Sequence, residues 1–239
     1  MSKVRGKRYS QAAERVDPER LYTLDEAISL VKETASASFD ETVDAAFNLG
    51  VNPSQNMVRG TCVLPKGTGQ EVRVVAFARG EDQREAEDAG ADWVGGEDLA
   101  ERIEDGWLDF DQVVSTPDMM SVVGRLGRIL GPRGMMPSPK SGTVSDDIGQ
   151  AVEKLKKGQV EFRTDDYGIV HVLVGKAEFS EEDLKENLTA LIKAVYEQRP
   201  EEGLKAKYLQ KASISATMGP GISLDTGELR QLAYGGVRG

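Results

Sequence analysis

The chain has 239 residues, of which 39% are hydrophobic and 29% charged, and its formal net charge at pH 7 is −10. This composition is typical of a folded globular protein with room for one large domain or two ordinary ones. No apolar run approaches the roughly 18 residues of a membrane span, and the basic start is not followed by an apolar stretch of the signal-peptide type.

The single cysteine, Cys62, and the single histidine, His171, limit the chemistry further. A single thiol excludes an internal disulfide. One cysteine and one histidine are also too few ligands for a structural zinc site. Cys62 is expected to be a small buried core residue.

The first predicted elements are a helix and two strands. Thr23 and Glu26 have the spacing of a capping box ahead of apolar residues at helical positions, which predicts a helix over 24–35. From Thr42 the apolar residues recur at every second position, which predicts a strand with one buried face. A second strand is predicted over 58–64.

The middle of the chain alternates strands with helices. Strands are expected near 72–78, 92–94 and 111–115, and helices near 82–89, 97–105 and 119–130. The nearly continuous apolar run of 72–78 is typical of a strand covered on both faces. This alternation indicates βαβ units, parallel strands and a Rossmann-like sheet. Ser145 is expected to cap a further helix that ends in a basic turn before Gly158.

The last third returns to an antiparallel pattern. Strands over 160–164 and 169–174 flank a turn and predict an antiparallel pair. Ser180 is expected to cap a long helix, and a last strand is predicted over 208–217. Residues 226–239 have little apolar periodicity and are predicted to be a mobile tail.

The two ends of the chain are expected to form one domain. Residues 1–68 contain nine Lys and Arg against nine Asp and Glu, whereas 69–157 contain 11 against 18. Neither end alone has enough strands and helices for a core. We therefore predict a discontinuous α+β domain with an inserted α/β Rossmann-like domain, joined at glycine-rich hinges near Gly67–Gly69 and Gly158; the two domains are 1–68 plus 158–239, and 69–157.

The loop Gly127–Thr143 is basic and glycine-rich, and it raises the alternative of a phosphate- or nucleotide-binding Rossmann-type enzyme. Pro139 stands directly before Lys140, where a Walker A loop needs a glycine. The glycines of this region also miss the dinucleotide spacing. No residue set suggests a reaction, because the lone histidine has no nucleophile pattern beside it. We expect no catalytic residue, cofactor or metal.

Several stretches are similar to a known family. They are LGRILGPRGMMPSPKSGTV (126–144), SISATMGPG (213–221), FDETVD (39–44), VRGT (58–61), AGADWVGGEDL (89–99) and GWLDFDQVVSTPDMM (106–120). Over about residues 7–224 the chain resembles the family of protein one of the large ribosomal subunit, the protein of the mobile side stalk.

This resemblance implies a fold and a set of partners. It implies two domains joined by two hinge strands in a cytoplasmic, ribosome-bound protein that is not an enzyme. Its expected partners are a folded region of large-subunit ribosomal RNA and the deacylated transfer RNA that leaves the exit site. Many bacterial members also bind their own operon messenger RNA and repress its translation, so this RNA is a third expected partner.

The last predicted strand offers a physical reason for RNA binding. Its polar residues alternate with apolar ones, so that one face carries Lys211, Ser213, Ser215 and Thr217. Hydroxyls can donate to and accept from a ribose 2′-OH, and Met218 and Gly219 then offer backbone groups. From chemistry alone, an edge strand ending in an ordinary turn stays open. The resemblance favours RNA contact, because the contacts of the family cluster on this Thr-Met-Gly segment.

By the same resemblance, Phe39 and Thr42 match a second contact segment, although a core aromatic stays open for Phe39. The family usually has a lysine before this phenylalanine, where the chain has Ser38, so a phosphate contact is expected to be missing. Three weaker candidates lie on or just after a strand of the same domain: His171, Gly175 and Lys176.

Two further expectations concern charge. Relatives are usually basic, so the acidic composition suggests a salt-adapted bacterial source in which RNA affinity falls only gently with salt. A basic strip on the inserted domain is interpreted as a contact for passing transfer RNA or ribosomal neighbours: Arg125, Arg128, Arg133 and Lys140. The alternative is a structural connection whose cations offset nearby acids.

Overall fold

A computed structural model of the chain describes residues 6–200 and 207–235. The chain divides into two compact units, one made of Met1–Gly69 with Val160–Gly239 and the other of Gln70–Gln159. The mixed α/β class predicted from the sequence is confirmed, while the hinge between the two units stays a prediction.

The described residues form nine strands and nine α-helices. The strands are β1 (Thr42–Leu49), β2 (Arg59–Val63), β3 (Val74–Phe77), β4 (Trp93–Gly95), β5 (Gln112–Ser115), β6 (Gln159–Arg163), β7 (Ile169–Lys176), β8 (Leu209–Ala216) and β9 (Ile222–Ser223). The helices are α1 (Lys7–Ala13), α2 (Leu24–Thr34), α3 (Glu81–Asp88), α4 (Glu97–Glu104), α5 (Met120–Val123), α6 (Gly127–Leu130), α7 (Ile148–Lys156), α8 (Glu181–Glu197) and α9 (Thr226–Tyr234).

The first unit is built on a four-stranded sheet with the order β7-β1-β8-β9, in which every neighbouring pair is antiparallel. The alternation predicted for β1 is confirmed, because Val43, Ala45, Phe47 and Leu49 are all buried. They pack in one core with the apolar residues of α2 and α8. Cys62 belongs to the same core, as expected, and burial raises the pKa of its thiol to about 11.

Two predicted helix caps of this unit are confirmed. The Thr23 side chain accepts a hydrogen bond from the Glu26 backbone N–H, and the Glu26 carboxylate accepts one from Thr23 in return. The Ser180 side chain accepts from the Asp183 backbone N–H at the start of α8. Each cap pairs a backbone donor that the first turn of a helix leaves without a partner.

The predicted hairpin of 160–164 with 169–174 is wrong in its pairing. The turn forms, with Gly168 at φ +77°, but only a single bridge joins Thr164 to Val170. β6 instead pairs with β2, and β7 pairs with β1. Thr164 explains the change of partner, because its backbone N–H donates to the Val58 carbonyl at 2.9 Å and its hydroxyl accepts from the Val58 N–H at 3.2 Å.

The mobile tail predicted from Thr226 onward is also wrong where the structure describes it, and residues 236–239 lie outside the described residues. α9 is capped by Asp225, whose carboxylate accepts from the Gly227 N–H at 2.7 Å. Leu229 is fully buried, and the Glu228 carboxylate accepts from the Leu24 N–H at 3.0 Å. One buried leucine and a cap are a weaker sequence signal than a full apolar stripe, yet they hold the helix to the core.

The second unit has a parallel sheet with the order β4-β3-β5. As predicted, β3 is covered on both faces, since Val75 and Phe77 pack in one core cluster and Val74 and Ala76 in another. The helix predicted over 119–130 is wrong as a single element: α5 and α6 are separated by a 3-10 turn, Gly124–Leu126. Glycine favours the helix less than other residues do, which accounts for this interruption.

The helix that follows the basic loop begins later than predicted. Its cap is Asp147, whose carboxylate accepts from the Gln150 N–H at 2.8 Å. Ser145 is not the cap, because its own N–H donates to the Ser115 carbonyl at 3.2 Å beside β5. None of the helices in the described part of the chain is long and apolar enough to cross a membrane.

Candidate nucleic-acid interface

One face of the four-stranded sheet carries small and polar side chains, and we call it the open face. It consists of Thr42, Asp44, Ala46 and Asn48 on β1, His171 and Leu173 on β7, and Lys211, Ser213, Ser215 and Thr217 on or just after β8. Each is exposed or half-buried, whereas the residues that alternate with them on β1 and β8 are buried.

The register places these side chains in rows. Ala46 lies between His171 and Ser213, and Asp44 lies between Leu173 and Ser215. β8 is an interior strand with β9 on its far side, although β9 has only two residues. The edge-strand interpretation of β8 is therefore wrong. A row of short side chains between two flanking strands leaves the surface shallow enough for another chain to approach.

At one end of the open face, Thr217 is joined to Thr42. The Thr42 backbone N–H donates to the Thr217 hydroxyl at 3.0 Å, and that hydroxyl in turn donates to the Thr42 carbonyl at 3.3 Å. Just beyond, the Gly219 N–H donates to the Ala216 carbonyl at 3.0 Å and closes a turn. Met218 stands in this turn and is 48% exposed.

The two segments at this end, 37–42 and 216–219, are held together by Glu41. This carboxylate is only 1% exposed. One of its oxygens accepts from the Ala37 N–H at 2.7 Å, and the other accepts from the Met218 N–H at 2.7 Å. Glu41 lies inside the motif FDETVD but is not predictable as a site residue from the sequence, because nothing local distinguishes a buried carboxylate from an exposed one.

Phe39 is 54% exposed, so the core-aromatic interpretation of this residue is wrong. It lies in the same short segment as Glu41, and Ser38 beside it is exposed. Exposed apolar side chains at Phe39 and Met218 thus belong to two segments that one carboxylate ties together. Aromatic rings in such positions are the usual platforms on which unpaired bases stack.

Cations at this interface are few. Lys176 is half-buried, with its ammonium 3.3 Å from the Thr42 hydroxyl and 3.4 Å from the Asp40 carbonyl. Lys211 is exposed on β8. His171 is exposed on β7, with Nε2 3.7 Å from an Asp165 carboxylate oxygen.

Two carboxylates near the histidine differ in pKa. Burial raises the pKa of the Asp44 carboxyl, and the neighbouring His171 and Lys176 charges lower it in part. A hydrogen bond from the Ile169 N–H is the main cause that lowers the pKa of Asp165. The open face therefore contains one acid, Asp44, whose negative charge is disfavoured where it lies.

Gly175 differs from the other candidates in position. It is buried, and a Cβ built on it would lie 3.0 Å from Phe179 Cδ2 and 3.2 Å from Leu184 Cδ2. Its side-chain direction therefore points into the core of the first unit. Any contact from Gly175 to a ligand is limited to its backbone.

The candidate strip of the second unit, Arg125, Arg128, Arg133 and Lys140, is exposed. Within the ranges that the structure describes, none of these four cations makes an ion pair with a carboxylate. The loop Gly127–Thr143 carries three of them and is held at its end, where the Ser138 N–H donates to the Thr143 hydroxyl at 2.9 Å and the Ser141 and Thr143 hydroxyls are hydrogen-bonded at 2.9 Å.

The carboxyl ends of the parallel strands are the usual place for a nucleotide in a sheet of this kind. Here α3 begins with Glu81 and Asp82, and α4 begins with Glu97 and Asp98. These acids occupy the helix N-termini that would otherwise attract a phosphate. Over residues 6–200 and 207–235, no group of three or more His, Cys, Asp or Glu residues could hold a metal ion.

A comparison with protein-family models gives one match for this chain. Residues 31–220 match the model described as the ribosomal protein L1p/L10e family. The matched range covers more than three quarters of the 239 residues and includes the whole open face.

Proposed function

Because the chain belongs to the ribosomal protein L1p/L10e family, it is a ribosomal protein that binds ribosomal RNA. We propose that the open face, together with the segments 37–42 and 216–219 at its end, is the surface that holds this RNA; from here on the open face includes these two segments. No support for the enzyme alternative comes from the family, which consists of structural ribosomal proteins. We further propose that the bound RNA is a folded region of the large-subunit RNA at the side stalk.

The observation that carries this proposal is the arrangement around Glu41. One buried carboxylate binds backbone N–H groups of two segments far apart in sequence, and each segment presents an exposed apolar side chain, Phe39 or Met218. Keeping a carboxylate in a core is costly unless hydrogen bonds compensate it. The two hydrogen bonds of Glu41 fix the relative position of the two segments before a ligand binds, which lowers the conformational entropy lost on binding.

The chemistry of the open face suits RNA better than a small anion. Ser213, Ser215 and Thr217 offer hydroxyls that can donate to and accept from a ribose 2′-OH, the group that distinguishes RNA from DNA. Phe39 offers a ring on which an unstacked base can lie. Since few cations line this face, shape, hydroxyl contacts and stacking supply much of the affinity.

Direct binding measurements test this proposal. A transcript of large-subunit ribosomal RNA is titrated with the wild-type protein, with Phe39→Ala and with Leu21→Ala, a control whose side chain is 60% exposed in the same unit. Loss of one base–aromatic stack, worth about 1–3 kcal/mol, predicts a loss of affinity of about 5- to 150-fold for Phe39→Ala alone. Equal affinity of all three proteins would refute the open face as the RNA surface.

A finer role is proposed for the second unit, because its four exposed cations make no ion pair among the described residues. The basic strip Arg125, Arg128, Arg133 and Lys140 contacts deacylated transfer RNA near the exit site and assists its release. Replacing all four with glutamine should slow release of transfer RNA from ribosomes that carry the variant, with unchanged binding to ribosomal RNA. Unchanged release would favour a purely structural role for the strip.

We also propose that the open face binds a similar structure in the messenger RNA of the protein's own operon and represses its translation. Because one surface would serve both RNAs, Phe39→Ala should relieve repression of a translational reporter in proportion to its loss of ribosomal RNA binding. Repression that survives this substitution at full strength would assign regulation to another surface, or to none.

A further inference from the structure

A second group of cationic and aromatic residues lies in the first unit, near the end of α8 and along α9. A cavity of about 80 Å³ is lined by Tyr196, Arg199, Lys207, Tyr208, Leu209 and Arg230. We call it the tyrosine–arginine pocket. A water molecule needs roughly 10–15 Å³ of such space, so the cavity has room for a group of several heavy atoms.

Three tyrosines form the frame of this pocket. The ring of Tyr196 packs edge-on against Tyr208 at 5.6 Å and against Tyr234 at 5.5 Å between centroids. The Tyr208 hydroxyl donates to the Val195 carbonyl at 2.8 Å, which fixes that ring in the core. Burial raises the pKa of both Tyr196 and Tyr208, so both hydroxyls stay neutral donors at physiological pH.

Three cations converge on the same frame. An Arg199 guanidinium nitrogen donates to the Tyr234 hydroxyl at 3.3 Å, and the Lys207 ammonium donates to the Thr226 hydroxyl. Arg230 is exposed one helical turn from Tyr234. Both arginine charges lie close enough to Tyr196 to lower its pKa against the effect of burial.

These cations have no carboxylate within ion-pair distance in the part of the chain that the structure describes. Three like charges around one cavity repel one another unless an anion lies between them. The pocket is thus electrostatically complementary to an anion, and no carboxylate within residues 6–200 and 207–235 supplies one by an ion pair.

A shallow groove continues from the pocket along α9. It is lined by Gly227, Arg230, Gln231 and Tyr234, which recur at helical spacing and so share one face. Gly227 leaves the helix surface open, and Tyr234 is 44% exposed. An arginine and a tyrosine four positions apart offer a phosphate donor next to a ring face.

We propose that the tyrosine–arginine pocket binds a phosphate of a second RNA segment, with Arg199 and Arg230 on the phosphate and Tyr234 against a neighbouring base. Naming RNA as the ligand rests on the proposed function. The forked donors of arginine match phosphate oxygens in pairs, and aromatic rings beside them favour a nucleotide over an acidic peptide, which has no base to stack.

The pocket and the open face are separate sites. Lys207 precedes β8, and Thr217 follows β8 ten positions later, so the pocket lies roughly 30 Å, at about 3.3 Å per residue, from the Thr217 end of the open face. The pocket is lined by residues in or next to α8 and α9 and at the start of β8, whereas the open face has its side chains on the other side of the sheet. One RNA must therefore be folded or long to reach both.

A salt series with large-subunit ribosomal RNA tests the proposal. The Arg199→Gln/Arg230→Gln protein is compared with Arg84→Gln/Lys193→Gln, a control that removes two exposed cations without an ion pair in the described structure. Loss of the one phosphate contact that the two arginines share should reduce the slope of log affinity against log salt by about 0.7–0.9. Between 50 and 200 mM salt, the wild-type affinity should then fall about 2.6- to 3.5-fold more than that of the variant. A slope equal to that of the control would refute the pocket.

Footprinting of the same RNA separates this proposal from the open face. Arg199→Gln/Arg230→Gln should lose protection at nucleotides other than those lost with Phe39→Ala. If only Phe39→Ala weakens binding, the open face stands and the pocket fails; if only the arginine variant does, the reverse holds. If both variants lost protection at the same nucleotides, the proposal that the pocket binds a second RNA segment would be refuted. Displacement of the RNA from the pocket by polyglutamate, at equal charge, would reassign the pocket to acidic peptides.

Discussion

The Thr217 hydroxyl is hydrogen-bonded to both backbone groups of Thr42: it accepts from the N–H at 3.0 Å and donates to the carbonyl at 3.3 Å. A hydroxyl that follows β8 therefore continues the pairing of β8 with β1 where the backbone ladder ends. The same hydroxyl oxygen has a further lone pair, because a hydroxyl has one donor and two acceptor positions. Thr217 thus has both a structural bond and capacity to accept from a ligand.

Thr217→Val keeps the shape of the side chain and removes its hydroxyl. We expect a loss of about 1 kcal/mol in the free energy of unfolding, because the two bonds are partly open to water. RNA affinity should fall about 10-fold, and the preference for RNA over the matching DNA should narrow, since a 2′-OH contact is lost. Urea unfolding and filter binding measure both effects.

Thr217→Ser is the matched control, since it retains the hydroxyl. It should bind RNA within about twofold of the wild type. A serine variant as weak as the valine variant would assign the effect to the methyl group and contradict the hydroxyl argument.

Alternation within β1 and β8 was sufficient to predict which side chains form the open face. The period of two in a strand fixes the face of every residue once one face is known to be buried. Exposure of Phe39 was not predictable in this way, because it precedes the strand and belongs to no periodic pattern. The partner strand of β6 was not predictable either, because Asp165–Gly168 predicts a turn but does not determine whether the two flanking strands pair with each other.

The role of Glu41 depends on contacts between residues distant in sequence. Its two hydrogen bonds reach Ala37, four positions away, and Met218, 177 positions away. Only the folded chain brings these donors to one carboxylate. Single-sequence reasoning has no access to such a pairing, so the most informative residue of the candidate site was found in the structure alone.

Glu41→Gln tests the function of this carboxylate. The amide keeps one acceptor oxygen but turns an N–H₂ group toward the second backbone donor, so either Ala37 or Met218 loses its bond. We expect a loss of about 1–3 kcal/mol in the free energy of unfolding and faster amide exchange at the residue left unpaired. Chemical denaturation and hydrogen exchange read these out. Glu178→Gln, at an exposed position of the same unit, should change neither quantity; an equal effect at both sites would contradict the role of Glu41.

Asp44→Asn tests the electrostatics of the open face. Burial raises the pKa of this carboxyl in the folded protein, so its ionisation costs stability above that pKa and costs nothing below the ordinary value of 3.8. The asparagine variant should therefore be more stable than the wild type near pH 7, and the difference should vanish as the pH falls below about 3.8. It should also bind RNA more tightly, because a negative charge facing the phosphates is removed.

The measurement is urea unfolding at several pH values, with RNA titrations at neutral pH. Asp146→Asn, an exposed acid of the second unit, is the control and should leave RNA affinity unchanged. An Asp44→Asn protein that is less stable at pH 7 would show that the charged form makes favourable contacts, against the direction argued from burial.

Lys211→Gln separates charge from hydroxyl chemistry on β8. Lys211 is exposed and shares the open face with Ser213 and Thr217. Loss of one phosphate contact should reduce the slope of log affinity against log salt by about 0.7–0.9. Thr217→Val should lower affinity at every salt concentration with the slope unchanged. If Lys211→Gln lowers affinity without changing the slope, it does not contact a phosphate. The shallow overall salt dependence expected for a salt-adapted source is measured in the same series.

Asn187→Leu tests how the first unit holds the segment that leads toward the second. The Asn187 side chain is fully buried on α8, and its amide N–H₂ donates to the Gly67 carbonyl at 2.9 Å and to the Val174 carbonyl at 2.8 Å. Its oxygen accepts from the Lys66 N–H at 2.9 Å. Leucine has nearly the same size but leaves all three backbone groups without partners.

We expect Asn187→Leu to lower the free energy of unfolding by about 2–4 kcal/mol, since each orphaned buried group costs about 1–3 kcal/mol and some regain contact with water. Urea denaturation gives this value, and hydrogen exchange at Lys66 should accelerate well before global unfolding. Lys193→Leu, at an exposed position of the same helix, controls for the added apolar side chain. If the Lys66 amide kept its protection in Asn187→Leu, the segment would be held by other contacts, and Asn187 would not be its anchor.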